Sequence, residues 1–223
     1  MVASEDVQAT QAAPAPQAAA PVTIEVWHDA VCPWCRIGLH NLQRAIAAAG
    51  RPVDLQIHPF LLDPTTPDEG RDLRGWLGAR YGAARVEAMF ANVTSAGARY
   101  GVTFHFDKIR QSPSTVRAHA TIAAVPAAVR DAYVHAMHVA YFERGEDIGS
   151  PEVLGALAET AGWSRAEAIA AANDAARLAA IRQAAEAASR SGIRGVPHFV
   201  IGGQPLHGAQ SPEAMQAAIA AAR

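Results

Sequence analysis

Cys32-Pro33-Trp34-Cys35 limits what this chain can be more than any other stretch. These are the only two cysteines in 223 residues, and two cysteines placed at random would fall three positions apart only about 1 % of the time. A CxxC that closes a strand and opens a helix brings two sulfurs within bonding distance and sets the first at the helix N-terminus. There the unpaired backbone N–H groups and the positive end of the dipole favour a thiolate over a thiol. At such positions a cysteine pKa falls from roughly 8.5 into the range of about 3.5 to 7.5. The chemistry expected of the pair is disulfide exchange, with an exposed Cys32 attacking and Cys35 resolving the mixed disulfide.

The flanks supply the strand and the helix. Val22, Ile24 and Val26 alternate with Thr23, Glu25 and Trp27, which is the period of a strand. After the motif, Leu39, Leu42, Ile46 and Ala49 fall at helical spacing, and Gly50 is a stop signal. Pro33 sits in the first turn, where its missing N–H costs little. Val53, Leu55 and Ile57 then alternate with Asp54, Gln56 and His58 as a second strand, which Pro59 discourages from continuing. Strand, helix and strand within about forty residues make a βαβ unit on a parallel sheet. In that setting a CxxC reads as a thioredoxin-like redox motif. A zinc knuckle is the other use of a cysteine pair, but zinc takes four ligands, and the rest would have to come from isolated histidines such as His28 or His40. No metal site is expected.

From Phe60 to Gly70 the chain is rich in Pro and Asp and reads as a connection, and from there to about residue 190 the pattern is helical with no comparable strand. Val86, Met89, Phe90 and Val93 share a helix face, with Gly101 ending the run. Ser112-Pro113 and Ser150-Pro151 each place a capping serine before a proline and predict helix starts. Val129, Tyr133, Met137 and Tyr141 repeat every four residues, and Ser164 with Glu167 forms a capping box ahead of one long Ala-rich helix holding Ile169 and Ile181. After Gly192-Ile193-Arg194-Gly195, the run His198 to Ile201, the turn Gly202-Gly203 and the segment Gln204 to His207 predict a hairpin. Ser211-Pro212 opens a last helix, with Met215, Ala218 and Ile219 facing inward. The expected architecture is an α/β, thioredoxin-like domain (βαβ at 22–62, ββα at 191–223) enclosing a large all-helical insertion domain at 63–190.

A formal net charge of −2 with 18 % charged residues carries no basic footprint for nucleic acid. No apolar run approaches the roughly 20 residues that span a bilayer. Residues 1–21 are dominated by Ala, Pro and Gln and read as a flexible tail without the basic and apolar regions of a secretory signal. A cytoplasmic location is expected; an exported form with its signal removed is the alternative.

Cys32-Pro33-Trp34-Cys35, Ala118-His119, Tyr141-Phe142-Glu143-Arg144-Gly145, Gly192-Ile193-Arg194-Gly195-Val196-Pro197 and Gly208-Ala209-Gln210-Ser211-Pro212-Glu213 together resemble, in order and spacing, the DsbA-like thioredoxin-fold oxidoreductases of the FrnE type. The resemblance covers residues 22–223. It implies exchange with protein thiols or disulfides through Cys32 and Cys35, with no bound cofactor. It also implies a cis Pro197 beside the motif and a Val196 backbone free to pair with an extended substrate. Pro33 and Trp34 are read as substrate-binding neighbours, Trp34 either as part of an exposed apolar rim or packed on the insertion. Some FrnE-type proteins carry a second cysteine pair near the C-terminus, so no relay through a second dithiol is expected here. Kappa-type glutathione transferases and chromene-carboxylate isomerases share the architecture but usually place Ser where Cys32 stands. A glutathione-dependent isomerase or transferase acting on a small molecule, with glutathione as co-substrate, is therefore the alternative function. For the neighbours both readings stay open: Asp29 as a proton shuttle for Cys35 or a loop cap, Arg36 and Arg194 as thiolate partners or solvated surface, and His119 as an active-site group or a satisfied interface histidine.

Overall fold

The elements around the motif form where the hydrophobic periods place them. The computed structural model describes residues 20–222, so nearly all of the expected tail, residues 1–21, lies outside the described residues. Strand β1 (Val22–His28) buries Val22, Ile24, Val26 and His28 and leaves Thr23, Glu25 and Trp27 more open. Helix α1 (Pro33–Ala49) has Cys32 as its N-cap residue, proline in its first turn and Gly50 at its C-cap. Strand β2 (Val53–Pro59) pairs parallel with β1, from Val22 opposite Val53 to His28 opposite Pro59.

The segment that follows holds a two-residue ladder of β3 (Arg71–Asp72) with β4 (Gln111–Ser112), together with helices α2 (Leu73–Tyr81) and α3 (Ala83–Ala98). Next come α4 (Val116–Ala124), α5 (Ala127–Val139) and a π-helical turn, Ala140–Arg144. Helices α6 (Pro151–Thr160), α7 (Arg165–Asn173) and α8 (Ala175–Arg190) complete it. The chain returns as β5 (His198–Ile201), β6 (Gln204–His207) and α9 (Pro212–Ala221). Gly202 and Gly203 turn the hairpin with φ of 54° and 81°, a two-residue turn that glycine makes without strain.

The strand order is β2-β1-β5-β6, with β5 antiparallel to both β1 and β6. Trp27 lies opposite His198, so the chain leaving β1 and the chain entering β5 sit side by side at one end of the two central strands. That register brings the CxxC loop to the Val196-Pro197 loop. The sheet face carrying Val26 and Phe199 packs on α1, and α9 lies beside it, with the Asn41 amide donating to the Gln210 carbonyl at 2.8 Å. The opposite face carries one transverse row drawn from all four strands, His58, Trp27, His198 and His207, with Trp27 stacked on His58 at 4.6 Å. One apolar core runs from Ile24 and Leu42 in the sheet layer to Tyr133, Phe142 and Leu154 among the helices.

Four local expectations are corrected. The middle segment is not free of strand, and Ser112 does not open a helix: it pairs with Arg71, and α4 begins only at Val116. The Ala-rich helix predicted from Ser164 is two helices, because the Asp174 side chain accepts from the Arg177 amide and starts a new N-terminus. The buried face of α3 is Val86, Val93 and Gly97, whereas Met89 is 42 % exposed at its margin. Ser164 does cap α7 through the Glu167 amide, as expected. Among the described residues no helix is long and apolar enough to cross a membrane.

The π-helical turn closes on Gly145, at φ 71°, where a Cβ would overlap the Lys108 carbonyl. A left-handed residue against backbone cannot relax. We predict that Gly145→Ala lowers unfolding free energy by at least about 2 kcal/mol, read as a shift in urea midpoint. Because the same turn holds Tyr141, Phe142 and Glu143, the variant is also expected to loosen one wall of the cleft described below.

Candidate active site

The start of α1 is the geometric centre of the site. Cys32 takes the N-cap position with no side-chain cap bond, so its sulfur stands where a Ser or Asp oxygen would meet the free amides of the first turn. Its own amide donates to the Asp29 carbonyl at 2.9 Å, which fixes the turn between β1 and α1. Its thiol donates to the Val196 carbonyl at 3.6 Å, across 164 positions of sequence. The Val196-Pro197 bond is cis, Val196 is half-buried and Pro197 is buried. The structure thus brings Cys32, Cys35, Pro33, Trp34, Val196 and Pro197 to one place. One correction concerns Cys32, expected to be exposed: it is only 4 % exposed and is reached through the cleft it lines.

Cys35 has no exposure at all. Burial raises its thiol well above the ordinary cysteine value, the hydrogen-bonded Cys32 sulfur raises it further, and a backbone hydrogen bond at Asp29 opposes both. A thiol in this setting holds its proton until a base takes it.

The cleft beside Cys32 encloses about 440 Å³ between the motif and α2, α3 and the π-helical turn. Among the described residues the large apolar side chains left exposed are Trp34, Leu62, Tyr81 and Met89, and all four line this cleft. Scattered exposed apolar residues are ordinary on a protein surface, but a group gathered at the mouth of one cleft marks a surface that receives apolar matter. Arg80 stands at the same mouth over the Tyr81 ring at 5.5 Å.

Behind the motif lies a polar cluster that sequence reading caught only in part. Asp29 is 2 % exposed; its carboxylate accepts from the Leu62 amide at 2.8 Å and the Val31 amide at 3.4 Å, and lies 3.8 Å from His119 Nε2. His119 is 2 % exposed and makes no hydrogen bond through Nε2, so it is neither surface nor a satisfied interface histidine. His28, fully buried, stands edge-on to the His119 ring at 5.0 Å and to the His138 ring at 6.1 Å. Arg36 is corrected from solvated surface to 6 % exposed: its guanidinium pairs with Glu143, donates to the His138 carbonyl at 3.1 Å and lies over the Phe104 ring at 5.1 Å. Arg194 is exposed.

His138 was missed and His28 was weighed only as a zinc ligand, although each had a signal for this cluster: His28 continues the inward positions 22, 24 and 26 of β1, and His138 falls four residues after buried Val134. Among the described residues no group of three or more His, Cys, Asp or Glu is arranged to hold a metal ion. His28 and His40, the histidines weighed as zinc ligands, do not join the cysteines in such a group.

Sheet order, cis-proline loop and buried CxxC define a thioredoxin-like fold of the α/β class with a helical insertion. The chain belongs to the DsbA-like thioredoxin domain family, whose model matches residues 23–220. Similar solved structures include a probable DsbA oxidoreductase from Streptomyces coelicolor, 27 % identical with a TM-score of 0.77, over 90 % of this chain and 89 % of that one. The fold is also that of a 2-hydroxychromene-2-carboxylate isomerase, 15 % identical with a TM-score of 0.66, over 88 % and 94 % of the two chains. The cytosolic disulfide reductase DsbM from Pseudomonas aeruginosa, in a structure with GSH, is 18 % identical with a TM-score of 0.62, over 87 % and 96 %. No curated protein sequence matches the chain.

Burial sets how the cluster responds to acid. It holds His28 well below the ordinary imidazole value, with His119 and His138 adding to the effect, and holds His138 down to about 3, helped by Arg36, His135 and His119. Both rings bind a proton near pH 6.5 only when the chain unfolds, so the unfolded state takes up more protons below that value. Their contribution is complete above about pH 6.5 and is lost as pH falls below it, at a rate approaching about 1.4 kcal/mol per pH unit for each ring. We predict a urea midpoint that falls between about pH 7 and pH 5, and a shallower fall in His138→Leu. A midpoint unchanged over that interval would refute this assignment.

Proposed function

We propose that this protein is a thiol–disulfide oxidoreductase that exchanges disulfides with protein substrates through Cys32 and Cys35. The observation that carries the reading is the asymmetry of the pair: one sulfur at a helix N-cap on the wall of an apolar cleft, the other sealed behind it. Membership of the DsbA-like family and likeness to a DsbA oxidoreductase support it.

In the oxidising direction a substrate thiolate attacks Cys32 of the Cys32–Cys35 disulfide and expels Cys35, which takes up a proton. A second substrate thiolate then attacks the substrate sulfur of the mixed disulfide and expels Cys32. Two electrons pass from the substrate dithiol to the protein. In the reducing direction Cys32 attacks the substrate disulfide, and Cys35 resolves the mixed disulfide after giving up its proton. Asp29, buried beside Cys35, takes or returns that proton. Trp34 and Pro33 contact the apolar residues beside the reacting sulfur, and the Val196 backbone pairs with an extended segment. The helical insertion, residues 63–190, forms the facing wall.

A second reading is favoured by one observation: the cleft is large enough for a small molecule, and the fold is shared with an isomerase and with a reductase whose structure holds GSH. In that reading glutathione is the co-substrate and the reaction survives loss of Cys35. We predict that Cys32→Ser reduces insulin disulfides no faster than buffer does, and that Cys35→Ser accumulates a mixed disulfide heavier by one substrate molecule in the mass spectrum. Insulin reduction by Cys32→Ser at the wild-type rate would contradict the proposal. Full catalysis by Cys35→Ser with glutathione would favour the isomerase reading.

A further inference from the structure

The exchange reaction poses a problem that the substrate cleft does not solve. Cys35 must lose a proton when it resolves a mixed disulfide and regain one when it is expelled, yet it has no exposure and lies behind Cys32. A substrate seated against Trp34 and Val196 covers the cleft that Cys32 lines. A route through the interior would make that proton transfer independent of the substrate.

Three imidazoles stand there in series. Asp29 Oδ1 lies 3.8 Å from His119 Nε2, the His119 ring 5.0 Å from the His28 ring, and the His28 ring 6.1 Å from the His138 ring. They come from the end of β1, from α4 and from α5, and each is at least nine-tenths buried. Among the described residues, His119 Nε2, His138 Nε2 and both ring nitrogens of His28 have no hydrogen-bond partner. Leaving a polar atom buried and unpaired is costly, so three adjacent cases call for a purpose beyond packing. His138 also lines a second cleft, of about 510 Å³, between α1 and α5; the exposed Asp131 and His135 are on its wall, and it shares no lining residue with the first.

We propose that His119, His28 and His138 form an internal proton path that joins Cys35, by way of Asp29, to this second cleft. The inference rests on the exchange function proposed above and adds the route of its proton. An imidazole accepts at one ring nitrogen and releases from the other, so a neutral ring with open nitrogens passes a proton on without a net change of charge. The path requires each gap to be closed by a turn of one ring or by a bridging water. The charged and titratable groups facing the path are Asp29 and Tyr141 at the cysteine end, and Arg36, Glu143 and His135 at the cleft end. Burial, and then the Arg36 charge beside it, disfavour a resting proton on His138, so the ring transmits rather than stores. These histidines are positioning residues: they touch neither substrate nor the reacting sulfurs.

An aryl disulfide, 5,5′-dithiobis(2-nitrobenzoate), separates the two sulfur steps. Reduced full-length protein releases one arylthiolate when Cys32 forms the mixed disulfide. It releases a second when the Cys35 thiol attacks Cys32 to form the internal disulfide, its proton leaving through Asp29. In all, the protein loses two electrons and the reagent becomes two arylthiolates. In wild type the second phase is expected to vary little between about pH 6 and pH 8, because its base is internal. In His119→Gln and in His138→Gln the ratio of second-phase to first-phase rate should fall about tenfold near pH 7, and the second phase should climb in proportion to hydroxide. A second phase of wild-type rate and pH profile, or one slowed by the same factor at every pH as a packing defect would do, overturns the proposal. Should His119→Gln fail to fold, His138→Gln at the cleft wall decides alone. Cys32→Ser tests the underlying reading separately: if it reduces insulin disulfides at the wild-type rate, the exchange function itself fails, whatever the histidine variants do.

Discussion

The contact between the start of α1 and the Val196-Pro197 loop is the constraint on which the rest of the site depends. Cys32 reaches Val196 only because β1 and β5 are antiparallel neighbours with Trp27 opposite His198. A one-residue slip in that register would move the loop away from the motif and turn every inward side chain of β5 outward. The strands thus define more than a scaffold. They determine which backbone carbonyl faces the first sulfur.

Sheet and α1 alone would leave that sulfur open to water. The helical segment supplies the cleft wall, and it also supplies the counterparts of the buried polar groups beneath α1. Arg36 is tolerable inside because Glu143 neutralises it and the Phe104 and Phe142 rings flank its guanidinium. Asp29 is held by amides from two loops, at Val31 and Leu62, so the turn before Cys32 and the exit from β2 are tied through one carboxylate. The polar cluster is therefore also a mechanical link between the motif and the segment that faces it.

Much of this was legible in local sequence. The alternation of Val22 to Val26, the helical spacing after Cys35 and the Gly202-Gly203 turn each depend on neighbours in the chain, and they predicted β1, α1 and the closing hairpin. The cis Pro197 followed from the family resemblance and not from spacing. What escaped depends on distant partners. Ser112 carries a helix-start signal, but pairing with Arg71 claims its backbone first. Arg36 reads as surface until two aromatic rings and a carboxylate arrive from the insertion. The burial of Cys32 escaped for the same reason, since its cover comes from segments far along the chain. Asp174 could sit inside an Ala-rich helix or cap a new one, and the fold chose the cap.

The central claim is that the two sulfurs are adjacent yet unequal, the first reached through the cleft and the second sealed. Brief alkylation of the reduced, folded protein with limiting iodoacetamide, followed by peptide mass spectrometry, tests it directly. The account predicts label on Cys32 with Cys35 protected until the chain is unfolded. Comparable label on both cysteines in the folded protein, or preferential label on Cys35, would contradict it.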